Sequence, residues 1–313
     1  MLHETYGYRP AYFTAMSAGN IAVSVPCMEI KSILTGERAV SLPFTDHCEP
    51  LIDDGYSEND FLDVVDAIIA HGKHAGWKSV ELRCGERLSR ETPRLATYYH
   101  HVIDVSGSAE QLLSGLREST RRNINKAINE GVRVEVSGTM ESVRAFYRLN
   151  CVTRRDHGLP PQPFRFFEKL HEHALSHGRG FVALASVRDT CVAGAVFLRF
   201  GDTAIYKYGA SDKSVQHLRA NNLVMWEAIK WCSERGARSV CLGRTEPENN
   251  GLLQFKRGWG ARERGIPYYK YDVRRERFVS ESPGLLDGPK KLIHRMPIPL
   301  LRVAGSVFYR HIG

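Results

Sequence analysis

Apolar residues recur at helical spacing in two matching segments. Leu62, Val65, Ile68 and Ile69 share one helical face in 58–76, and Met225, Ala228, Ile229 and Cys232 share one in 218–236. Each segment runs into a glycine, Gly76 or Gly236, which supplies the left-handed conformation that commonly ends a helix. A short apolar run follows each, at 78–82 and 238–242, and reads as a strand. Ahead of the helices the pattern alternates. Residues 11–30 and 180–200 both read as two strands around a polar turn, and VSLPF at 40–44 and TAIYKYG at 203–209 each supply a third strand. The copies lie 160 residues apart, so that Ile69 meets Ile229, Ser79 meets Ser239, Val80 meets Val240 and Leu82 meets Leu242. The shared order of three strands, helix and strand predicts a duplicated α/β unit with mixed sheets.

Between the copies, residues 108–130 read as a helix with Ser108 as N-cap and Gly131 as its stop. A second helix, 139–156, is capped by Thr139; the Pro-rich loop DHGLPPQP follows, then a third helix over 164–177. This places an N-terminal domain at 1–107, a C-terminal domain at 108–280 and a basic amphipathic tail at 281–313. Pro297 and Pro299 divide that tail into two short pieces.

Composition narrows the class. With 313 residues, 42% hydrophobic and 25% charged, the chain fits a globular protein with a large core, not a disordered, collagenous or disulfide-stapled one. Its apolar runs are too short to span a bilayer, and MLHETYGYRP lacks the form of a secretory signal. Seven scattered cysteines with no C-x-x-C suit core filling in a reducing cytoplasm. The charge is uneven: residues 1–100 hold 9 Lys/Arg against 14 Asp/Glu, although the whole chain carries a net +8. The basic excess of the later two thirds points to an anionic partner or to a solvated basic face. His171, His173 and His177 do not form H-E-x-x-H, so no metal site is expected.

Three segments together resemble the FemAB family and its wider relatives in the GNAT acyltransferase superfamily. They are LRESTRRNINKAINEGVRVEV at 116–136, YKYGASD at 206–212 followed by NNLVMWEAIKW, and LGRTEPENNGLLQFKRGWGA at 242–261. Within the last, Phe255-Lys256-x-x-Trp259-Gly260 is similar to the family's Phe-Lys-x-x-aromatic-Gly signature. SLPFTD at 41–46 looks most like the exosortase-associated FemAB subgroup. The resemblance implies tandem duplicated GNAT-like acyltransferase domains. It also implies acyl or aminoacyl transfer to an amine of a cell-envelope or exopolysaccharide precursor. No tightly bound cofactor is implied, and the donor is either aminoacyl-tRNA or acyl-CoA. Coenzyme-A enzymes of this class use a Gln/Arg-x-x-Gly-x-Gly/Ala turn, but this chain reads Gln216-His217-Leu218-Arg219-Ala220-Asn221. Arg219 stands where glycine would let the backbone approach pyrophosphate.

The carry-over makes Lys256 the leading cation for a tetrahedral oxyanion, outside the core, with Phe255 and Trp259 beside it. On bare sequence, without the resemblance, Lys256 reads first as a surface lysine at the end of a short helix. Asp156 and His157 suit an acceptor ammonium and its departing proton, or loop capping. Arg121, Arg122, Asn123 and Lys126 suit phosphate and sugar contacts, or a solvated helix face. Arg244 follows a strand end, and Tyr208, on the same strand face as Tyr206, offers a hydroxyl. The acceptor would be a phosphate-bearing glycan or lipid-linked amine, with charged tRNA as a partner and peripheral membrane contact through 288–313. An acetyl-CoA N-acetyltransferase and a non-catalytic precursor-binding module are the competing classes.

Overall fold

The computed structural model describes residues 1–53, 58–280 and 290–313. The chain divides into two compact units. One comprises Leu2–Tyr99, Gly265–Leu286 and Val307–Gly313; the other comprises Met1, His100–Arg264 and Asp287–Ser306. The units are interleaved along the chain, so the expected segments 1–107 and 108–280 each contribute to both.

The first unit begins with α1 (Leu2–Tyr6), β1 (Arg9–Ser17), β2 (Asn20–Ser32) and β3 (Gly36–Val40). It continues through β4 (Leu51–Ile52), α2 (Glu58–His74) and β5 (Ser79–Leu82). β1, β2 and β3 are antiparallel neighbours, and β5 joins β3 in parallel. α2 buries Phe61, Val64, Val65 and Ile68 with Val23, Val25, Ala39, Val80 and Leu82. Leu62 remains exposed, so the buried face sits one residue away from the one the spacing predicts. The third strand lies at 36–40 and not at 40–44. Leu42 and Phe44 take φ of 44° and 64°, in the left-handed region that a strand cannot use.

β6 (Ala96–Asp104) leads into the second unit. There follow α3 (Ala109–Gly115), α4 (Glu118–Asn129), β7 (Arg133–Ser137), α5 (Met140–Asp156) and α6 (Phe164–His173). Next come β8 (Gly180–Val187), β9 (Thr190–Phe200), β10 (Thr203–Ser211), α7 (Ala220–Glu234), β11 (Ser239–Thr245) and α8 (Asn250–Arg257). β7 to β10 form an antiparallel run, and β11 pairs with β10 in parallel. The series β8, β9, β10, α7, β11 thus repeats β1, β2, β3, α2, β5, as the 160-residue pattern predicts. Gly76 and Gly236 end the matching helices with φ of 72° and 80°.

The expected helix 108–130 is two helices. Leu116 and Arg117 take extended conformations, which ends α3 and starts α4 at a new angle. The expected helix 164–177 stops at His173, and residues 175–177 form a 3₁₀ turn. α7 buries Met225, Ala228, Ile229 and Cys232 with Phe181 and Phe197. α5 and α6 contribute a separate aromatic group that joins Phe146, Tyr147 and Phe167.

β12 (Arg262–Asp272) carries the chain back to the first unit, where its end pairs antiparallel with β5; β13 (Arg277–Phe278) pairs with β12. α9 (Lys290–Arg295) and α10 (Ile298–Ile312) are the two expected tail pieces. Pro299 falls in the first turn of α10, where a missing N–H costs nothing. Residues 281–289 of the expected tail lie outside the described residues. No helix among the described residues is long and apolar enough to cross a membrane.

Candidate active site

β10 and β11 pair only over Thr203–Ile205 and Ser239–Cys241, then continue separately to Ser211 and Thr245. The same stretch of β10 loses register with β9 between Tyr206 and Tyr208. This irregularity sends the two tyrosines to different surroundings: Tyr206 packs on Phe197, whereas Tyr208 packs on Phe166 and Phe167. The expectation that they share a strand face therefore fails, because a register break inverts the alternation.

A cavity of about 430 Å³ opens at the end of β10, with Ser211 and Asp212 in its wall. Two helix N-termini converge on it. Arg117, Ser119 and Thr120 come from the start of α4, and Arg219, Asn221 and Asn222 from the start of α7. Neither N-cap, Arg117 or Arg219, makes a side-chain capping bond. Helix N-termini without a side-chain cap, with their positive dipole ends, thus meet two guanidinium side chains. Asn123, Gln216 and Gln254 add amide groups to the wall. Asp212 is the acid in this lining; hydrogen bonds from the Ser214 side chain and backbone hold its carboxyl below the usual range. Asn222, 9% exposed, is part of the same lining. Arg219 has φ 59°, the left-handed conformation that glycine adopts without strain. The turn therefore keeps a glycine-type backbone while adding a cation. This site is suited to an anionic, phosphate-bearing ligand.

The Phe255–Gly260 signature builds one wall. Phe255 lines the cavity. Lys256 turns inward and is 2% exposed, with Nζ donating to the Gly243 carbonyl at 3.0 Å and the Arg244 carbonyl at 2.9 Å. It does not line the cavity, and the expectation that it lies outside the core is overturned. The ammonium secures the end of β11, whose last carbonyls lack a sheet partner from β10. The Gly258 carbonyl accepts from the Arg117 backbone N–H at 3.1 Å and from Thr120 Oγ1 at 3.0 Å, tying α8 to the start of α4. A Cβ at Gly258 would lie 2.7 Å from Thr120 Oγ1, so a larger residue would have to displace Thr120. Trp259 is 1% exposed and fills the core, and Gly260 turns the chain with φ 70°.

Behind Lys256 a polar chain runs from the buried His101 to the exposed Glu263 and Arg257. His101 Nε2 contacts Glu263 Oε2 at 3.0 Å, and Arg257 grips both Glu263 oxygens at 2.8 Å. Burial, and then the Lys256 charge, push the His101 pKa down; the Arg257 fork lowers that of Glu263. His100 Nε2 and Cys241 Sγ are 2.9 Å apart nearby. Sequence reading missed both histidines, because nothing in their spacing marks them.

The remaining expected residues are divided. Asn123 lines the cavity; Arg122 and Lys126 are exposed, and with the half-buried Arg121 they lie outside its lining. Arg244 approaches Glu246 at 4.0 Å. Asp156 ends α5, and His157 caps it. Thr153 Oγ1 donates to the Ser211 carbonyl and accepts from the Ser211 N–H, and Lys213 Nζ donates to the Asp156 carbonyl at 3.3 Å. These bonds fix the end of α5 beside the cavity wall. Desolvation, then Lys213 and Arg154, push the His157 pKa down, which leaves a neutral imidazole able to accept a proton. Arg117 and Arg219, the two cations of the cavity, are ones that the site reading did not include.

The sheet order and the duplicated unit define a tandem GNAT-type architecture. Residues 114–257 match the acetyltransferase (GNAT) domain family. The fold is similar to that of FemX, with a TM-score of 0.67 over 87% of this chain and 90% of that one at 14% identity. It is also similar to a tandem GNAT protein of the clavulanic acid biosynthesis pathway, with a TM-score of 0.55 over 83% and 82% of the two chains at 11% identity. A stretch of 75 residues, 22% of this chain, is 32% identical to the lipid II:glycine glycyltransferase of Staphylococcus haemolyticus (strain JCSC1435). That stretch covers 18% of the glycyltransferase's own length. The FemAB resemblance is thereby supported.

Proposed function

We propose that the protein is a FemAB-like aminoacyltransferase that forms an amide on an amine of a phosphate-bearing cell-envelope or exopolysaccharide precursor. The observation that carries this reading is the cavity at two uncapped helix N-termini, with Arg117 and Arg219 at its wall, inside the GNAT-matching segment. The lipid II named in the glycyltransferase relative supplies the acceptor class.

In this reading the cavity grips phosphate of the donor. The acceptor amine attacks the donor's ester carbonyl, a C–N bond forms, and the C–O bond to the donor breaks. His157 or the Asp156 carboxylate takes the amine proton, and the departing donor hydroxyl receives one. Lys256 is a positioning residue that fixes the Gly243–Arg244 turn. Arg219 favours aminoacyl-tRNA over acyl-CoA, because its side chain occupies space that a closely approaching pyrophosphate needs. The acceptor is lipid-linked, and the enzyme reaches it from the cytoplasmic face of the membrane through the basic tail.

A donor screen tests the proposal. The full chain is incubated with charged tRNAs or acyl-CoAs and an amine acceptor, and the acceptor is read by mass spectrometry. A mass gain of one aminoacyl group from charged tRNA is expected. A gain from acetyl-CoA alone would replace the donor assignment with the acetyltransferase class, and no gain from any donor would leave the binding-module class.

A further inference from the structure

The turn between β2 and β3 presents two aliphatic side chains to solvent. Ile33 is 93% exposed and Leu34 is 64% exposed. The two are adjacent, so the tip carries a contiguous apolar point and not a single scattered residue. The turn is also rigidly built. Ser32 Oγ accepts from the backbone N–H groups of Leu34 at 3.1 Å and Thr35 at 3.0 Å. Two amides of the tip are thus satisfied internally, as any backbone that enters an apolar medium requires.

The turn is fastened to residues 307–313. Ser32 Oγ meets His311 Nδ1 at 3.1 Å, and Thr35 Oγ1 donates to the His311 carbonyl at 3.2 Å. Arg38 Nη2 donates to the carbonyls of His311 at 2.8 Å and Gly313 at 3.0 Å. Val307, 59% exposed, and Arg310 are on the solvent side of that segment. Lys31 flanks the tip, and the Lys78 side chain lies over Gly36 at its base. Glu37 is the acid of the turn, and Lys31 pairs with it at 2.7 Å. The result is an aliphatic point on a net basic base.

We infer that the Ile33–Leu34 turn, with Val307 and Arg310, is a membrane-inserting tip that docks the protein on an anionic bilayer. The inference rests on the lipid-linked acceptor proposed above. An aliphatic point with basic residues behind it matches the depth profile of such a surface, which runs from acyl chains to anionic headgroups. The tip differs from the tail assignment in placing the deepest contact in the β2–β3 turn.

The test uses the full chain and vesicles of phosphatidylcholine, alone or with phosphatidylglycerol. Wild type is expected to sediment with the anionic vesicles, less so at high salt. The double variant Ile33→Asp/Leu34→Asp is expected to bind roughly tenfold or more weakly, whereas Leu51→Asp, which alters an exposed apolar residue elsewhere, binds as wild type. In the variant Ile33→Trp, the emission added over wild type is expected to shift to the blue on anionic vesicles and to be quenched by brominated acyl chains. Equal binding by wild type and the double variant, or an added emission that neither shifts nor is quenched, would overturn the inference. Concentration-dependent self-association lost in the double variant, without vesicle binding, would assign the surface to a second copy instead. Transfer to a water-soluble amine acceptor is expected to be unaffected by the double variant. A failed transferase reading would abolish that turnover in wild type and leave the vesicle measurement intact.

Discussion

Replacing Lys256 with methionine separates a structural ammonium from a chemical one. The methionine side chain keeps an apolar stem in the buried site and removes the donors to the Gly243 and Arg244 carbonyls. Each buried carbonyl left without a donor costs about 1–3 kcal/mol. Relief of the ammonium's own desolvation returns part of that, and the net loss is about 2 kcal/mol. For a chain of 313 residues, at an unfolding entropy of about 2.1 cal/mol/K per residue, the unfolding midpoint should fall by roughly 3 °C. Thermal unfolding of wild type, Lys256→Met and Lys256→Ala checks this, with turnover measured on the same samples. The alanine variant should be the less stable of the two, because it also leaves a cavity. An unchanged midpoint together with a fall in turnover of roughly 10²–10³ would refute the structural role and restore Lys256 as the cation of the oxyanion.

The other expectations concern the cavity and its surroundings. Arg117→Ala should weaken donor binding by roughly tenfold in a calorimetric titration, with a shallower salt dependence than wild type. Arg219→Gly should likewise weaken donor binding, while raising stability by about 1 kcal/mol through release of the left-handed strain; a simultaneous loss of stability would contradict this. Gly258→Ala should lower stability by about 1–3 kcal/mol through overlap with Thr120 Oγ1, and Thr120→Ala in the same chain should recover part of it. His101 has a lowered pKa in the folded state, so the unfolded chain binds its proton more readily. Its contribution to stability is therefore complete above about pH 6.5 and is lost as pH falls towards the folded value. His101→Gln should flatten the loss of denaturation midpoint between about pH 7 and pH 5.

The duplication was legible because it is written in periodicities. A helix, a glycine stop and a strand recur at a fixed separation, and burial of one face enforces that pattern. The break at Leu116–Arg117 was signalled by Gly115 and overlooked, because Ser119 to Ala127 continue a good helical pattern and no proline interrupts it. This hid Arg117, whose importance comes from standing at the start of a helix and not within one. Arg219 was visible as a departure at a glycine position, yet only its φ shows that the turn survives the change. Lys256 was found by its motif and misplaced by its charge. A lysine is normally exposed, and the two strand-end carbonyls that hold it inside carry no sequence signal. The exposed turn at Ile33–Leu34 fell between the strands read at 11–30 and 40–44, and nothing in its residues marks which side chains face solvent.

The interleaving of the two units has a consequence for synthesis. The strand next to β5 is β12, and Tyr8 donates through its hydroxyl to the Tyr309 carbonyl at 2.7 Å. Residues 2–99 therefore wait for a sheet neighbour and a hydrogen-bond partner that are synthesised well after them. At about 5–20 residues per second, β5 waits on the order of 10–40 s with an open edge. The second unit, nearly continuous from His100 to Arg264, is the part that can settle first. Nascent chains halted near residue 107 should be held by chaperones or degraded, whereas chains extended past β12 and Tyr309 should not. The separation of β5 from β12 along the chain thus sets a folding delay on the first unit.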